Sequence, residues 1–200
     1  MANITLENVR LSYVHLLRPY ANDPNAEPKY SCTILVDKSD AAAKQKIDAA
    51  VKEAIEQGRQ GKWNGVVPPI VAIPIHDGDG VKQDGSAFGP ECKGCWVFTA
   101  SAKADRPPEV VDRMLNKILD ATQIYSGIYA NVNINFYPYM YQAKKGVGCG
   151  LGPVQKVADG DSLGGSAPTA ASVFASLGGG AGVNPFAAPA QINPLTGQAY

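Results

Sequence analysis

The run from Tyr129 to Tyr141 reads Y-A-N-V-N-I-N-F-Y-P-Y-M-Y. Side chains alternate faces along a β-strand. One face therefore carries Ala130, Val132, Ile134, Phe136, Pro138 and Met140 and belongs on a core. The other carries Tyr129, Asn131, Asn133, Asn135, Tyr137, Tyr139 and Tyr141. A row of rings on an open sheet face can stack successive nucleobases, because every base has a π-face. Asn carboxamides can hydrogen-bond base edges or phosphate oxygens. Tyr129, Tyr137, Tyr139 and Tyr141 are thus the candidate stacking surfaces, Asn133 and Asn135 the candidate donors, and Trp63 and Trp96 further candidate rings. The same pattern also fits an ordinary half-exposed strand whose Tyr and Asn pack across strands, or a structural or assembly protein with a Tyr-rich protein–protein interface.

Basic residues fall at positions that would serve a nucleic acid. Arg10 lies on the polar face of a first strand, Lys103 and Arg106 follow the Trp96 strand, and Lys144 and Lys145 follow the Tyr strand. If these strand ends meet, they form a basic rim beside an aromatic floor, the combination expected of a single-stranded nucleic acid groove. If they do not, they keep turns soluble.

Other chemistry is poorly supported. Cys92-Lys93-Gly94-Cys95 is one C-x-x-C, half of the usual zinc pattern, and Cys32, Cys149, His15 and His76 are scattered. His76-Asp77-Gly78-Asp79-Gly80 fails the spacing of a calcium loop and reads as a turn. No phosphate-binding Gly-Lys-Ser/Thr loop, His-Glu-x-x-His or Gly-x-Ser-x-Gly occurs. No catalytic residue, metal or cofactor is expected.

The chain has 200 residues, 18 Lys+Arg and 18 Asp+Glu, and 45% hydrophobic residues. Zero net charge argues against a histone-like binder and leaves room for a local basic groove. Every Lys and Arg lies at or before Lys156, and only Asp159 and Asp161 carry charge beyond Ala158. Residues 159–200 are rich in Gly, Ala, Ser, Pro and Asn and are expected to form a disordered tail. Phe174, Leu177, Phe186 and Tyr200 are isolated apolar residues within it. No run of about 20 apolar residues suits a bilayer. The N-terminus lacks the pattern of a signal peptide. The four Cys form no dense framework, as expected of a reducing cytoplasm with no membrane partner.

The elements that must position these residues are mostly strands. Residues 4–16 read as a strand with Val9, Leu11 and Tyr13 on one face and Asn8, Arg10 and Ser12 on the other, followed by a loop over residues 18–25. Residues 29–36 form a second strand. A helix follows, with Asp37 or Ser39 as its cap, an apolar stripe of Ile47, Val51, Ala54 and Ile55, and Gly58 at its end. Residues 70–75 and 94–103 read as strands, the latter with Trp96, Phe98, Ala100 and Ala102 on one face. Residues 114–121 read as a short helix or an irregular return. Lys144-Lys145-Gly146 reads as a turn, and residues 147–157 return as a hairpin partner. This predicts a mainly β fold, an OB-fold-like small barrel with one helix after the second strand over residues 1–158, plus the disordered C-terminal tail.

The order of short segments carries a resemblance. Asn8-Val9-Arg10-Leu11-Ser12-Tyr13 comes first, and residues 30–38 run into the helix. Asp77-Gly78-Asp79, Thr99-Ala100-Ser101, Arg106-Pro107, Val110-Val111-Asp112 and Tyr125-Ser126-Gly127 follow. Phe136-Tyr137-Pro138-Tyr139, Gly146-Val147-Gly148 and residues 151–155 complete the set before the low-complexity tail. The set resembles bacteriophage-encoded single-stranded DNA-binding proteins of the OB-fold type, over about residues 4–157. The resemblance implies a non-enzymatic protein that coats and protects single-stranded DNA during phage DNA replication or recombination in the host cell cytoplasm. Expected partners are single-stranded DNA, phage or host replication proteins and, in a homo-oligomer, further copies of the chain. One departure is plain. The tail ends Thr196-Gly197-Gln198-Ala199-Tyr200, with the terminal aromatic but without the acidic residues through which many such proteins recruit partners.

Overall fold

The strand Tyr129–Tyr141 forms as its alternation requires. Ala130, Val132, Ile134, Phe136 and Pro138 are buried, and Tyr129, Asn131, Asn133, Asn135, Tyr137 and Tyr139 are half-exposed. The computed structural model describes residues 2–164 other than Asn22, Gln83, Gln142 and Ala143. The chain divides into a unit Met1–Gly165 and a second, Ser166–Tyr200. The second unit, with Phe174, Leu177, Phe186 and Tyr200, lies outside the described residues.

The elements in chain order are β1 (Ala2–Tyr20), β2 (Lys29–Asp37), α1 (Ala41–Gln60), β3 (His76–Asp77), β4 (Cys95–Lys103), β5 (Val110–Val111), β6 (Tyr129–Tyr141) and β7 (Lys144–Ala158). The strand order is β3-β4-β2-β1-β6-β7-β5, and an additional parallel pairing of β4 with β7 at Ser101↔Gly150 closes a barrel of β1, β2, β4, β7 and β6. This is an OB-like barrel with one helix after the second strand. Leu6, Leu11, Ile34, Phe98, Phe136, Ile134 and Val154 fill its interior. Phe98 and Phe136 meet inside at 6.1 Å between ring centroids.

β1 departs from simple alternation twice. Asn8 and Tyr13 have φ of 50° and 47°, and each coincides with a register shift against a neighbouring strand. A bulge adds one residue and turns the following side chains over. Leu6 and Val9 are therefore both buried although they are three positions apart, a spacing that plain alternation puts on opposite faces. Ser12 is buried while Tyr13 stands 66% exposed, the reverse of the expected faces. The strand also continues through Arg18, Pro19 and Tyr20, read from sequence as loop, and Tyr20 stacks on His15 with centroids 4.5 Å apart.

The cap of α1 is Asp40, whose side chain accepts from Ala43 N at 2.9 Å. Asp37 instead turns back to accept from Ser39. The buried stripe is Ala43, Ile47, Ala50, Val51, Ala54 and Gly58, laid on β6 and β1. The helix runs past Gly58, which sits beneath Trp63: a Cβ there would lie 2.7 Å from the indole.

Residues 70–75 form no strand. Pro68, Pro69 and Pro74 remove ladder donors, and one isolated bridge, Ala72↔Gly146, ties the segment to β7. The short β3 falls instead on His76 and Asp77, within the expected turn. Lys144 and Lys145 already belong to β7, opposite Tyr141 and Met140, so they lie in the strand rather than in the expected turn. Residues 112–120 are an irregular return, held by the bridge Val111↔Lys117.

Residues 159–164, assigned from sequence to the tail, are tied to the barrel. Tyr125 OH donates to Asp159 at 2.9 Å and Lys156 pairs with the same carboxylate. Arg10 donates to the carbonyl of Asp161, and Leu163 N donates to the carbonyl of Ser126. The Leu163 side chain packs against a satellite cluster of Leu35, Cys92 and Val97.

Candidate nucleic-acid interface

The polar face of β6 leans across β7. Tyr139 pairs with Gly146, Tyr137 with Gly148 and Asn135 with Gly150. The phenol ends of Tyr139 and Tyr137 lie over the α-carbons of their glycines, and the Asn135 and Asn133 carboxamides lie over Gly150 and Gly152. Tyr137 and Tyr139 are therefore neighbouring half-exposed rings on one outer wall. Burial pushes the Tyr137 phenol pKa up, with Cys149 and Tyr139 adding to it, so the ring presents a neutral phenol. Pairing of β6 with β1 ends at Ala2↔Phe136. The Tyr137–Pro138–Tyr139 stretch is thus paired by β7 alone among the named strands, which suits a proline without an N–H.

The other proposed rings are placed differently. Trp63 is fully buried, and its indole N–H donates to the carbonyl of Tyr139 at 3.0 Å. It supports the wall from behind and offers no face to a base. Trp96 shares the inward side of β4 with Phe98 and packs on the core, and its ring is met by the ammonium groups of Lys38 and Lys44 at 5.2 and 4.7 Å. It too is withdrawn from the Tyr wall. Tyr129 shares the outer face but lies at the far end of β6, where Arg10 stands 5.9 Å from its ring and Gly160 packs against it. Tyr141 is exposed beyond the glycine row.

Much of the amide capacity is already used within the wall. Asn131 accepts from Asn8 N at 2.9 Å, which pins the first bulge, and donates to Gln155. Asn133 donates to Thr5 Oγ1 at 3.1 Å.

The basic rim does not assemble as one feature. The pairing of Ser101 with Gly150 directs the Lys103 end of β4 toward Gly152, away from Lys144 at the start of β7. Lys103 and Arg106 are exposed there, beside Lys29, which pairs with Lys103. Lys145 is committed to structure, donating to the carbonyls of Trp63 and Val66 at 3.0 Å each. Arg10 is held by Asp161.

A second concavity was not legible in the sequence. A cleft of about 380 Å³ opens on the outer wall of β2 and β4, lined by Tyr13, Thr33, His76, Lys82, Phe88 and Thr99 among others. Thr33 and Thr99 face each other with their hydroxyls 3.1 Å apart. His76 and Phe88 lie 6.2 Å apart, and Lys82 stands 5.8 Å from the Phe88 ring. The signal that hid this site is the Tyr13 bulge, which turns outward a ring that alternation places inside.

The cleft and the Tyr pair share one wall. His15 pairs with Ser31, Ser31 with Ser101, Ser101 with Gly150, Gly150 with Asn135, and Asn135 with Asn3. This row of small and polar outward residues runs round the barrel. Thr33 and Thr99 stand one outward step away on one side, and Tyr137 stands one outward step from Asn135 on β6.

The cysteines are free, and all but the half-buried Cys95 are buried. Burial pushes Cys32 up to about 12 and raises Cys149, Cys92 and Cys95 as well, so these thiols stay protonated near neutral pH. Among the described residues no group of three or more His, Cys, Asp or Glu could hold a metal ion. No helix among them is long and apolar enough to cross a membrane.

Comparison with known proteins places this architecture. Residues 2–181 match the family model described as Enterobacter phage Enc34, ssDNA-binding protein. The structure of the single-stranded DNA-binding protein from bacteriophage Enc34 in complex with ssDNA aligns with a TM-score of 0.68 at 29% identity, covering 82% of this chain and 90% of that one. The same Enc34 protein in a second structure aligns at 0.65 and 27% identity, covering 86% and 89%. The bacteriophage T7 single-stranded DNA-binding protein gp2.5 shares the fold at a TM-score of 0.56 and 17% identity, covering 90% and 98%. No match was found among curated proteins. With the family model spanning most of its length, the chain belongs to the Enc34 family of phage ssDNA-binding proteins.

Proposed function

We propose that this protein binds single-stranded DNA with little sequence preference, coating and protecting it during phage DNA replication or recombination. The reading rests on family membership and on one structural observation: the unbroken outward row from Ser31 through Ser101 and Gly150 to Asn135, which joins the cleft to the Tyr pair. Bases stack on Tyr137 and Tyr139 and enter the cleft beside Tyr13 and Phe88, and the sugar-phosphate chain follows the row between them. Stacking of this kind tolerates any base. Lys82 lies beside the cleft, and Lys103 and Arg106 lie at the end of β4, where they neutralise phosphates.

Beyond DNA, the partners in this reading are phage or host replication proteins and further copies of the chain. A protein that coats DNA during replication works beside the replication machinery, and the compartment in this reading is the host cell cytoplasm.

A fluorescence titration with a labelled oligothymidine at two salt concentrations tests the function. Affinity that falls steeply with salt supports phosphate neutralisation. Absence of binding at low salt, where screening is weakest, refutes the reading. Binding to another protein through the Tyr wall, with no DNA affinity, would favour the interface alternative.

A further inference from the structure

β7 carries Gly146, Gly148, Gly150 and Gly152 at alternate positions, while Val147, Cys149 and Leu151 between them are buried in the core. Over residues 146–152 one face of the strand therefore lacks side chains where it meets β6. Glycine weakens a strand interior, because it loses the most conformational freedom and packs nothing. None of these four has the left-handed backbone that would itself require glycine; Gly65, Gly85, Gly94 and Gly127 do.

What would fill the space decides the matter. A Cβ at Gly146 would lie 2.6 Å from Cζ of Tyr139, and one at Gly148 would lie 2.6 Å from Cζ of Tyr137. At Gly150 and Gly152 it would meet the Oδ1 atoms of Asn135 and Asn133 at 2.2 and 2.8 Å. At Gly78 and Gly127, by contrast, the obstruction is main chain. A Cβ at Gly78 would lie 1.9 Å from the carbonyl of Cys92, and one at Gly127 would lie 2.1 Å from that of Asp161. At Gly146 and Gly148 the obstacle is the outer end of a ring, which can swing away at little cost to the fold.

We infer that Gly146 and Gly148 are positioning residues for DNA binding: they form a Cβ-less track that lets Tyr139 and Tyr137 lie down across β7. The inference rests on the reading of the Tyr pair as a stacking surface. A ring leaning on the neighbouring strand has one side supported and its motion restricted before DNA arrives. Less ordering is then left for the moment of binding. An alanine methyl would lift the ring from the track while filling the strand with a residue of lower folding cost.

The test uses the full chain and four variants, G146A, G148A, Y137A and Y139A, with the matching Gly–Tyr double variants. Affinity for a labelled oligothymidine and the melting temperature are measured for each. Gly61 closes α1, where a Cβ would meet only the Gln57 carbonyl at an ordinary 3.4 Å, so G61A serves as the control. Loss of a stacked ring corresponds to a weakening of about five- to 150-fold. The expected result is a drop of about fivefold or more for G146A and G148A, an unchanged or higher melting temperature, and no further loss from G148A in the Y137A background or from G146A in the Y139A background. G61A leaves affinity unchanged.

Two outcomes overturn the inference while leaving the stacking site intact. In one, Y137A and Y139A weaken binding but the glycine variants bind as tightly as the parent. In the other, the glycine variants lose melting temperature, making these glycines requirements of the backbone. If Y137A and Y139A bind like the parent, the Tyr pair is not the stacking site, and the positioning role falls with it.

Discussion

The indole N–H of Trp63 donates to the carbonyl of Tyr139 at 3.0 Å, from the opposite side of β6 to the Tyr139 ring. The bond ties the segment after α1 to the strand that carries the proposed stacking face. Lys145 reinforces it by reaching the carbonyls of Trp63 and Val66, and Gly58 makes room for the indole from below. Truncation of Trp63 to Ala is expected to cost about 3–5 kcal/mol of stability, as for a large buried aromatic. Urea unfolding measures it. A loss of DNA affinity with unchanged stability would instead make Trp63 a contact residue.

The two faces of β6 should respond oppositely to truncation. Ile134 is fully buried, so Ile134→Ala is expected to lower stability by about 2–5 kcal/mol and to leave the DNA affinity of the folded protein near that of the parent. Tyr137→Ala and Tyr139→Ala are expected to weaken binding by about 1–3 kcal/mol per stacked base with the fold intact. Paired unfolding and titration curves separate the two effects.

The cleft gives an independent expectation. Tyr13 is exposed and makes its contribution at the surface. Tyr13→Ala is expected to weaken DNA binding by about 1–3 kcal/mol, the cost of one stacking partner, with an unaltered melting temperature. Unchanged affinity would confine binding to the β6–β7 wall.

Acid should loosen the region around β3. Lys38 bridges Asp77 and Asp79, and its hydrogen bonds hold both carboxyls below their ordinary pKa, with backbone donors Asp79 N and Gly94 N helping. Groups with depressed folded pKa values stabilise above the unfolded value, about 3.9 for Asp, and that stability fades as pH falls through the folded value. Lys38→Met is expected to lower the melting temperature near neutral pH and to flatten its decline below about pH 4. Melting curves across that range check the sign; parallel curves would show that Lys38 contributes nothing through these carboxylates.

Truncation maps where the body ends. Removal of residues 159–200 takes away the partners of Tyr125, Lys156 and Arg10, together with Leu163 of the satellite cluster. It is expected to lower the melting temperature, whereas removal of residues 165–200 is expected to leave it near that of the parent. Equal curves for the two would make residues 159–164 dispensable.

Legibility followed the physics of each element. β6 could be read side chain by side chain, because a half-buried strand prints its two faces directly into the sequence. The helix stripe of Ile47, Val51 and Ala54 was equally plain. β1 was not, since bulges at Asn8 and Tyr13 reverse the alternation and no residue type announces them. The bulge at Asn8 is held by Asn131, distant in sequence. Trp63 and Trp96 were open to either reading because composition does not distinguish a buried indole from a stacking one. The basic residues could be named but not placed in register: which strand ends meet depends on the β4–β7 closure, a long-range contact. The cleft gathers Tyr13, His76 and Phe88 from three separate segments, which no local pattern connects.

The closure of β4 on β7 rests on a single paired position, Ser101 with Gly150, whereas β6 and β7 pair along their lengths. Ser101 and Gly150 lie 49 residues apart in sequence, and a single pair offsets the entropy of closing that loop only weakly, which makes this a late event in folding. It also makes this join the natural place for the native barrel to breathe, with amide protons that exchange sooner than those of the β6–β7 hairpin. The same join lies midway between the cleft and the Tyr pair. In the proposed DNA path, a strand laid across both spans it like a suture, and by mass action the occupied protein would resist opening in proportion to how tightly that strand is held.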